Sequence, residues 1–227
     1  NVDIMTIREN IEGIYSGLGQ TVSDDGETAE LRSRITRTES ERLLRFAYET
    51  ATKQGRKKVT VVHKANIMKS TSGLFLDVAR KVREDYPNLE HEEMIVDATA
   101  MQLAMNPHRF DVIVTTNLFG DILSDLCAGL IGGLGVAPGA NIGEHGGLFE
   151  AVHGSAPDIA GKGIANPTAI MLAGAMMLDY IEMHDKAKKL RRTVRHVVGA
   201  GEVVTPDLGG RASTTEFTDE LIRHLTA

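Results

Sequence analysis

The sequence predicts an α/β protein, and three observations carry that prediction. β-branched runs at 58–63 and 111–115 alternate with stretches of helical periodicity. Charged side chains cluster where the apolar runs end, which is where ligands bind in open parallel sheets. Gly, Pro and Asp punctuate the joins, as short connections between strands and helices require.

Each element has a local reason. Residues 2–7 read as a first strand, and the Gly- and Asp-rich stretch 13–30, with its Ser23-Asp24-Asp25-Gly26 turn, as a protruding arm. Thr38-Glu39-Ser40-Glu41 is a capping box, predicted to open a helix whose Leu44, Ala47, Tyr48 and Ala51 share one face and which Gly55 closes. A strand at 58–63 precedes an amphipathic helix over 74–83 carrying Phe75, Val78 and Val82. A short strand over 94–96 ends at Asp97, and a helix follows through Met105. The strand at 111–115 leads into a helix bearing Asp121 and Asp125. Gly132-Gly133-Leu134-Gly135 breaks that helix and marks a domain boundary. Asn166 as N-cap and Pro167 at the first helical position start a long apolar helix through Ile181. Its Met171, Leu172, Ala175, Met176 and Leu178 call for burial, in part against another subunit. The basic run 186–196, with Leu190, Val194 and Val197 inward, is a solvated helix face.

Composition narrows the function. A hydrophobic share of 42% with 25% charged residues suits a globular chain with a real core. The net charge of −6 argues against nucleic acid as a partner, and no apolar run reaches the roughly 18–20 residues of a membrane span. A single cysteine, Cys127, excludes an internal disulfide and suits a reducing compartment.

Asp121 and Asp125 lie four residues apart and share a helix face. Two carboxylates aimed at one point suit a hard divalent cation, although the pair alone also fits a solvated helix start. Arg8, at a strand end, offers a planar fork for a carboxylate, and Tyr15 a phenol that can deliver a proton. Lys64, with Asn66 beside it, follows the 58–63 strand directly; a surface lysine is the plainer alternative. Asp97 stands at a strand end, where an N-cap is the common explanation. The loop Glu150-Ala151-Val152-His153-Gly154-Ser155-Ala156-Pro157-Asp158-Ile159 consists of small residues whose backbone N–H groups can approach a phosphate or an adenine. It is not the Gly-x-Gly-x-x-Gly fingerprint. His153 also fits a satisfied core histidine, and Asp158 a turn cap after Pro157.

Taken together, the block from Asn117 to Gly135, the loop from His153 to Gly161, Ile7-Arg8-Glu9-Asn10, Tyr15-Ser16-Gly17 and His63-Lys64-Ala65-Asn66-Ile67-Met68-Lys69 resemble the isocitrate and isopropylmalate dehydrogenase family. The resemblance covers essentially the whole chain and is closest to the NAD-dependent isocitrate branch. It implies two α/β domains with a cleft between them, and a homodimer or higher oligomer whose active site is shared across subunits. Residues 1–131 match the smaller, dimer-forming domain with its arm, and residues 132–227 the latter part of the larger, cofactor-binding domain. Relatives begin with a strand and a Gly-rich loop that nothing before Asn1 supplies, so the front of the larger domain is expected to be missing.

By the same resemblance, Mg²⁺ or Mn²⁺ is held by Asp121 and Asp125 with Asp97 of a second copy. Arg8 and Asn66 contact substrate, Tyr15 and Lys64 move protons, and NAD contacts Glu150, His153, Gly154, Ala156, Asp158, Ile159, Asn166 and Asp207. Asp158 favours NAD on physical grounds too, since a carboxylate accepts from a ribose hydroxyl and repels a 2′-phosphate. The implied reaction is oxidative decarboxylation of isocitrate to 2-oxoglutarate. The alternatives are a relative acting on isopropylmalate, homoisocitrate or tartrate, and a non-catalytic assembly or regulatory subunit. Bacterial or archaeal cytoplasm and the mitochondrial matrix both suit the chemistry.

Overall fold

Parallel strands buried on both faces favour apolar side chains in succession, and Val59, Val61, Val62, Val112, Ile113 and Val114 supply them, all fully buried. The computed structural model describes residues 2–226, and the chain divides into two units, Asn1–Leu130 and Ile131–Ala227. In the first unit, β1 (Met5–Arg8), β4 (Lys58–His63), β5 (Glu90–Ile95) and β6 (Val112–Thr115) form one parallel sheet in the order β1-β6-β4-β5. A two-stranded hairpin, β2 (Thr21–Val22) and β3 (Ala29–Glu30), stands exposed within the stretch read as an arm.

The alternation of side chains divides the core in two. Ile7, Val59, Val61, Val112 and Val114 meet α1 (Arg37–Lys53) and α2 (Thr71–Val82). Val62 and Ile113 face the other way, onto Leu103 of α3 (Val96–Met105) and Leu123 and Cys127 of α4 (Asn117–Leu130). The result is a three-layer α/β/α unit with helices on both sides of the sheet.

The structure moves several predicted boundaries, among them the first strand, which is Met5–Arg8 and not 2–7, and the second helix, which is Thr71–Val82 and not 74–83. The cap of α1 is Thr36, whose hydroxyl accepts from the Glu39 N–H at 3.3 Å, so the helix begins two residues ahead of the predicted box. Two candidate hydroxyls lie two residues apart there, and pattern alone does not choose between them. The end is as predicted: Gly55 adopts φ 66°, its N–H donates to Thr52 and that of Arg56 to Ala51, a Schellman closure. β5 stops at Ile95, so Asp97 sits in the first turn of α3 and caps nothing. Glu90-His91-Glu92-Glu93 form the rest of β5, a charged edge that resists further pairing.

In the second unit, β7 (Pro138–Ile142) and β8 (Gly147–Ala151) make an antiparallel hairpin against α5 (Thr168–Tyr180). Pro167 occupies the cap position of α5, one residue later than predicted, while the Asn166 side chain still accepts from the Thr168 N–H at 2.9 Å. Ala169, Ala173 and Ala175 of α5 are buried, whereas Ile170, Met177 and Tyr180 are exposed in the single chain. Helices α6 (His184–Ala200) and α7 (Thr214–Thr226) close on a core of Val194, Val197, Phe217 and Leu221. Ser213 and Glu216 cap α7, exchanging bonds at 2.8 and 3.2 Å. Among the described residues no helix is long and apolar enough to cross a membrane.

One network running from the core to the surface ties α1 to the sheet edge. The Tyr48 hydroxyl meets His91 Nδ1, His91 Nε2 meets Glu93, and Arg80 grips Glu93 at 2.9 and 2.8 Å. Arg80, then His91, hold the Glu93 carboxyl down to about 2, against an ordinary 4.5. A depressed carboxyl stabilises the fold above its unfolded pKa, and that stability drains as pH falls from about 4.5 towards 2. Glu93→Gln is therefore expected to lose about 1 kcal/mol at pH 7, or about 2–4 °C in melting temperature, after allowance for screening. Melting curves at pH 7 and pH 3 check this: the gap between variant and parent should shrink at the lower pH, and a constant gap would contradict it.

Candidate active site at the carboxyl edge of the sheet

All four parallel strands end on the same side, and the chemistry predicted for the first unit collects there. Arg8 is the last residue of β1, and Lys64 follows β4 directly. Asp97 lies just past β5, while Asn117 and Asp121 open α4 just past β6. The strand order splits these residues into two groups, one at the β1–β6 side and one at the β4–β5 side.

The first group is built around Arg8. Its Nε and Nη2 donate to Asn117 Oδ1 at 3.1 and 2.7 Å, and its Nη1 to Asp121 Oδ1. The Tyr15 hydroxyl donates to the other oxygen of Asp121 at 2.6 Å, and the Arg8 guanidinium lies 5.1 Å from the Tyr15 ring centre. Gly13, at φ 85°, makes the turn that brings Tyr15 back over α4, and its N–H is held by the Arg34 carbonyl at 3.0 Å. The buried Glu9 carboxylate holds the same loop through the N–H groups of Ile11 and Glu12 at 2.7 and 2.8 Å.

Electrostatics follow from these bonds. The donated Tyr15 hydrogen bond, then the Arg8 charge, hold the Asp121 carboxyl below its usual range, and the same bond raises the Tyr15 phenol. Asp125, one turn further on, is exposed and has no hydrogen-bonded partner among the described residues. The alternative of a solvated acidic helix start does not hold: the pair occupies the second and third turns of α4, not the first. The helix dipole is weak there, so it offers little reason for two carboxylates.

The second group is an ion pair between Lys64 Nζ and Asp97 Oδ1, which lowers the Asp97 carboxyl. His63 beneath it is buried, and burial pushes its pKa down; its Nδ1 accepts the Ala65 N–H at 3.1 Å. Asn66 is exposed in the turn after Lys64. Among the described residues no three acidic, histidine or cysteine side chains of this one chain gather closely enough to hold a metal. Asp121 and Asp125 supply two hard oxygen donors, and Asp97 of the same chain belongs to the other group.

In the second unit the predicted cofactor residues fall on one hairpin and its following loops. Glu150 on β8 accepts from Asn141 at 2.8 Å, and His153 Nδ1 meets the Gly154 carbonyl at 2.9 Å. Both are exposed, so His153 is not a core histidine. Ala156 adopts φ 42° and ψ 62°, a left-handed conformation unusual for a residue with a Cβ, and launches the turn Pro157–Ile159 that presents Asp158. Asn166 donates to Asp207 at 2.9 Å, beside Gly135, and Thr205 fixes the other Asp207 oxygen at 2.6 Å. An exposed loop of small residues with one carboxylate fits the adenosine half of a dinucleotide.

The pattern reading missed Asn117 and Glu9. Asn117 is 2% exposed and Glu9 7%, and both act by holding other site residues. A polar residue at a strand–helix junction was the available signal. Tyr15→Phe should let the Asp121 carboxyl rise towards its ordinary 3.8, since the phenol is the largest cause of its depression. Carboxyl-carbon NMR titration checks this, and an unmoved Asp121 would contradict the bond.

Comparison with known proteins places the chain. A profile of the family described as isocitrate/isopropylmalate dehydrogenase matches residues 1–221. The 3-isopropylmalate dehydrogenase of Archaeoglobus fulgidus is 52% identical over 97% of this chain and 66% of its own length. Catalytic subunit 5 of the mitochondrial NAD isocitrate dehydrogenase of Arabidopsis thaliana is 50% identical over 99% of this chain and 60% of its own. The homoisocitrate dehydrogenase of Methanocaldococcus jannaschii is 51% identical over 99% and 63%. The crystal structure of isocitrate dehydrogenase from Methylococcus capsulatus superposes with a TM-score of 0.95 at 52% identity, covering 100% of this chain and 68% of that one. The chain thus spans less than two thirds of the length of these three relatives, 60–66%. The chain belongs to the isocitrate/isopropylmalate dehydrogenase family.

Proposed function

We propose that the protein carrying this chain is an NAD- and Mg²⁺- or Mn²⁺-dependent dehydrogenase that oxidises and decarboxylates isocitrate, with active sites shared between two copies. The observation that supports this most is the pair of groups on one sheet edge. Arg8, Tyr15, Asn117 and Asp121 are already assembled, while Lys64 and Asp97 form a separate pair. Each group is half of a site, and a second copy brings the complementary half. Exposed apolar side chains on α3 and α4 (Met101, Met105 and Ile122) give that copy a surface to pack on.

The residues divide the work by chemistry. Arg8 uses three N–H bonds on Asn117 and Asp121, leaving two N–H groups for a substrate carboxylate. Asp121 and Asp125 would hold the cation, joined by Asp97 of the second copy. When bound, NAD accepts the hydride from the substrate's hydroxyl-bearing carbon, and the cation polarises the oxygens on which charge builds. Lys64 of the second copy, with Tyr15, handles protons: the hydroxyl proton leaves as the ketone forms. After CO₂ departs, Tyr15 returns one to the carbon that lost it. Asn66 lies near enough to Lys64 in sequence to contact the same substrate. Glu150, His153, Gly154, Ala156, Ile159, Asn166 and Asp207 hold the dinucleotide, and Asp158 selects NAD by accepting from the ribose hydroxyl.

Relatives named for isopropylmalate, isocitrate and homoisocitrate are 50–52% identical to this chain, so overall identity does not separate the substrates. The choice of isocitrate rests on Ile7-Arg8-Glu9-Asn10, on Tyr15-Ser16-Gly17 and on the sequence from His63 to Lys69. A regulatory subunit, the name carried by a Dictyostelium discoideum relative at 48% identity, is disfavoured because all six matched site residues (Arg8, Tyr15, Lys64, Asp97, Asp121, Asp125) are present. Reducing cytoplasm or mitochondrial matrix is the compartment this chemistry suits.

The test uses the full-length protein with NAD and Mn²⁺ against isocitrate, isopropylmalate and homoisocitrate. Isocitrate should give the highest kcat/KM, and equal or better turnover of either rival would overturn the substrate assignment. Asp158→Lys combined with Ile159→Tyr should shift the NAD/NADP preference by roughly tenfold or more, the scale of one charge contact. An unchanged ratio would remove the argument from Asp158.

A further inference from the structure

We propose that Gly120 and Asn117 are positioning residues for Arg8, so that the first turn of α4 acts as a mould for the substrate-binding guanidinium. The proposal rests on the reading of Arg8 as the substrate-carboxylate ligand. Its structural half stands on geometry alone.

Glycine inside a helix costs about 1 kcal/mol relative to alanine, so a buried one in the second half of the first turn needs a reason. Gly120 has one. A Cβ built there would stand 2.5 Å from Arg8 Cγ, 2.7 Å from its Cβ and 3.1 Å from its Cδ. These are the stem atoms next to the β1 backbone, which cannot swing aside as a side-chain tip can. Only a glycine lets the Arg8 stem cross α4 at this height.

Asn117 fixes the other end of the side chain. Its amide is oriented by its two neighbours: Nδ2 donates to the Glu12 carbonyl at 3.2 Å, so Oδ1 faces Arg8 and accepts both Nε and Nη2. Turning the amide over would set donors against donors on Arg8 and an oxygen against an oxygen on Glu12. Glu12 is itself pinned, its buried carboxylate accepting the N–H of Thr36, the cap of α1, at 2.8 Å. The orientation of Arg8 is thereby tied through Asn117 and Glu12 to the start of a core helix. Asp121 completes the mould on Nη1, which leaves the free N–H groups of Arg8 in one fixed plane.

Gly129 provides the control, because it lies on the same helix and a Cβ there would meet nothing within 4 Å. In the full-length enzyme, Gly120→Ala is expected to raise the substrate KM roughly tenfold or more, the size of one lost charge-assisted hydrogen bond. The KM for NAD should stay within about twofold, and Gly129→Ala should change neither. A crystal structure of Gly120→Ala should show the Arg8 guanidinium displaced from Asn117 Oδ1. A displaced Arg8 alongside an Arg8→Ala variant of parental KM would sustain the mould and overturn the substrate role. An undisplaced Arg8, or an unchanged substrate KM beside a raised one for Arg8→Ala, would overturn the mould. Should Gly120→Ala not fold, Asn117→Ala carries the same two readouts with the same expected results.

Discussion

One constraint organises the first unit: a carboxylate on α4, Asp121, is held between an arginine and a phenol at the open edge of a parallel sheet. Arg8 neutralises it, Tyr15 donates to it, and Asn117 sets the angle at which Arg8 arrives. Those three partners come from the end of β1, the following loop and the start of α4. The site therefore exists only when β1 and β6 are paired in register, with Arg8 beside Thr115. A slip of one residue would turn Arg8 to the opposite face and dissolve the group.

The same sheet sets the two groups apart within one chain. β4 lies between β6 and β5, so Lys64 and Asp97 end up beyond the reach of Asp121, at about 4.8 Å per strand spacing. They neutralise each other in the single chain. Two charge groups that are each balanced locally can be solvent-exposed without cost to the fold. If two copies share the site as proposed, their groups together would set three carboxylates around one point, an arrangement that a divalent cation relieves. Symmetry makes the exchange reciprocal, since each copy offers both halves.

Much of this was legible in the residues. β4 and β6 follow from β-branched runs and α5 from its apolar run, whereas the charged stretch Glu90–Glu93 hides most of β5 from such a reading. The pairing of Asp121 with Asp125 on one face follows from their spacing of four. What the pattern does not carry is choice between near-equal local signals. Thr36 and Thr38 both suit a cap, and the winner is set by the Glu12 carboxylate that reaches the Thr36 N–H from 24 residues away. Asn117 and Gly120 show the same limit from the functional side. Neither moves a proton nor binds an ion, so residue type gives no hint, and their roles appear only once Arg8 is laid across them. The apolar helix α5 is a further case: of the residues marked for burial, Ala175 is buried but Met171, Leu172, Met176 and Leu178 are only half-buried in the single chain, since periodicity marks a residue for burial without saying what covers it.

The most direct measurement of the divided site is complementation between two inactive variants of the full-length protein, Asp97→Asn and Asp121→Asn. Each alone should lack activity, because every site of the homodimer carries the lesion. After the two are unfolded and refolded as a mixture, random pairing should restore about one quarter of the parental activity, since half the dimers then hold one intact site of two. A mixture as inactive as its components would mean that residues 97 and 121 serve within a single copy or not at all, and the division of the site between copies would be wrong.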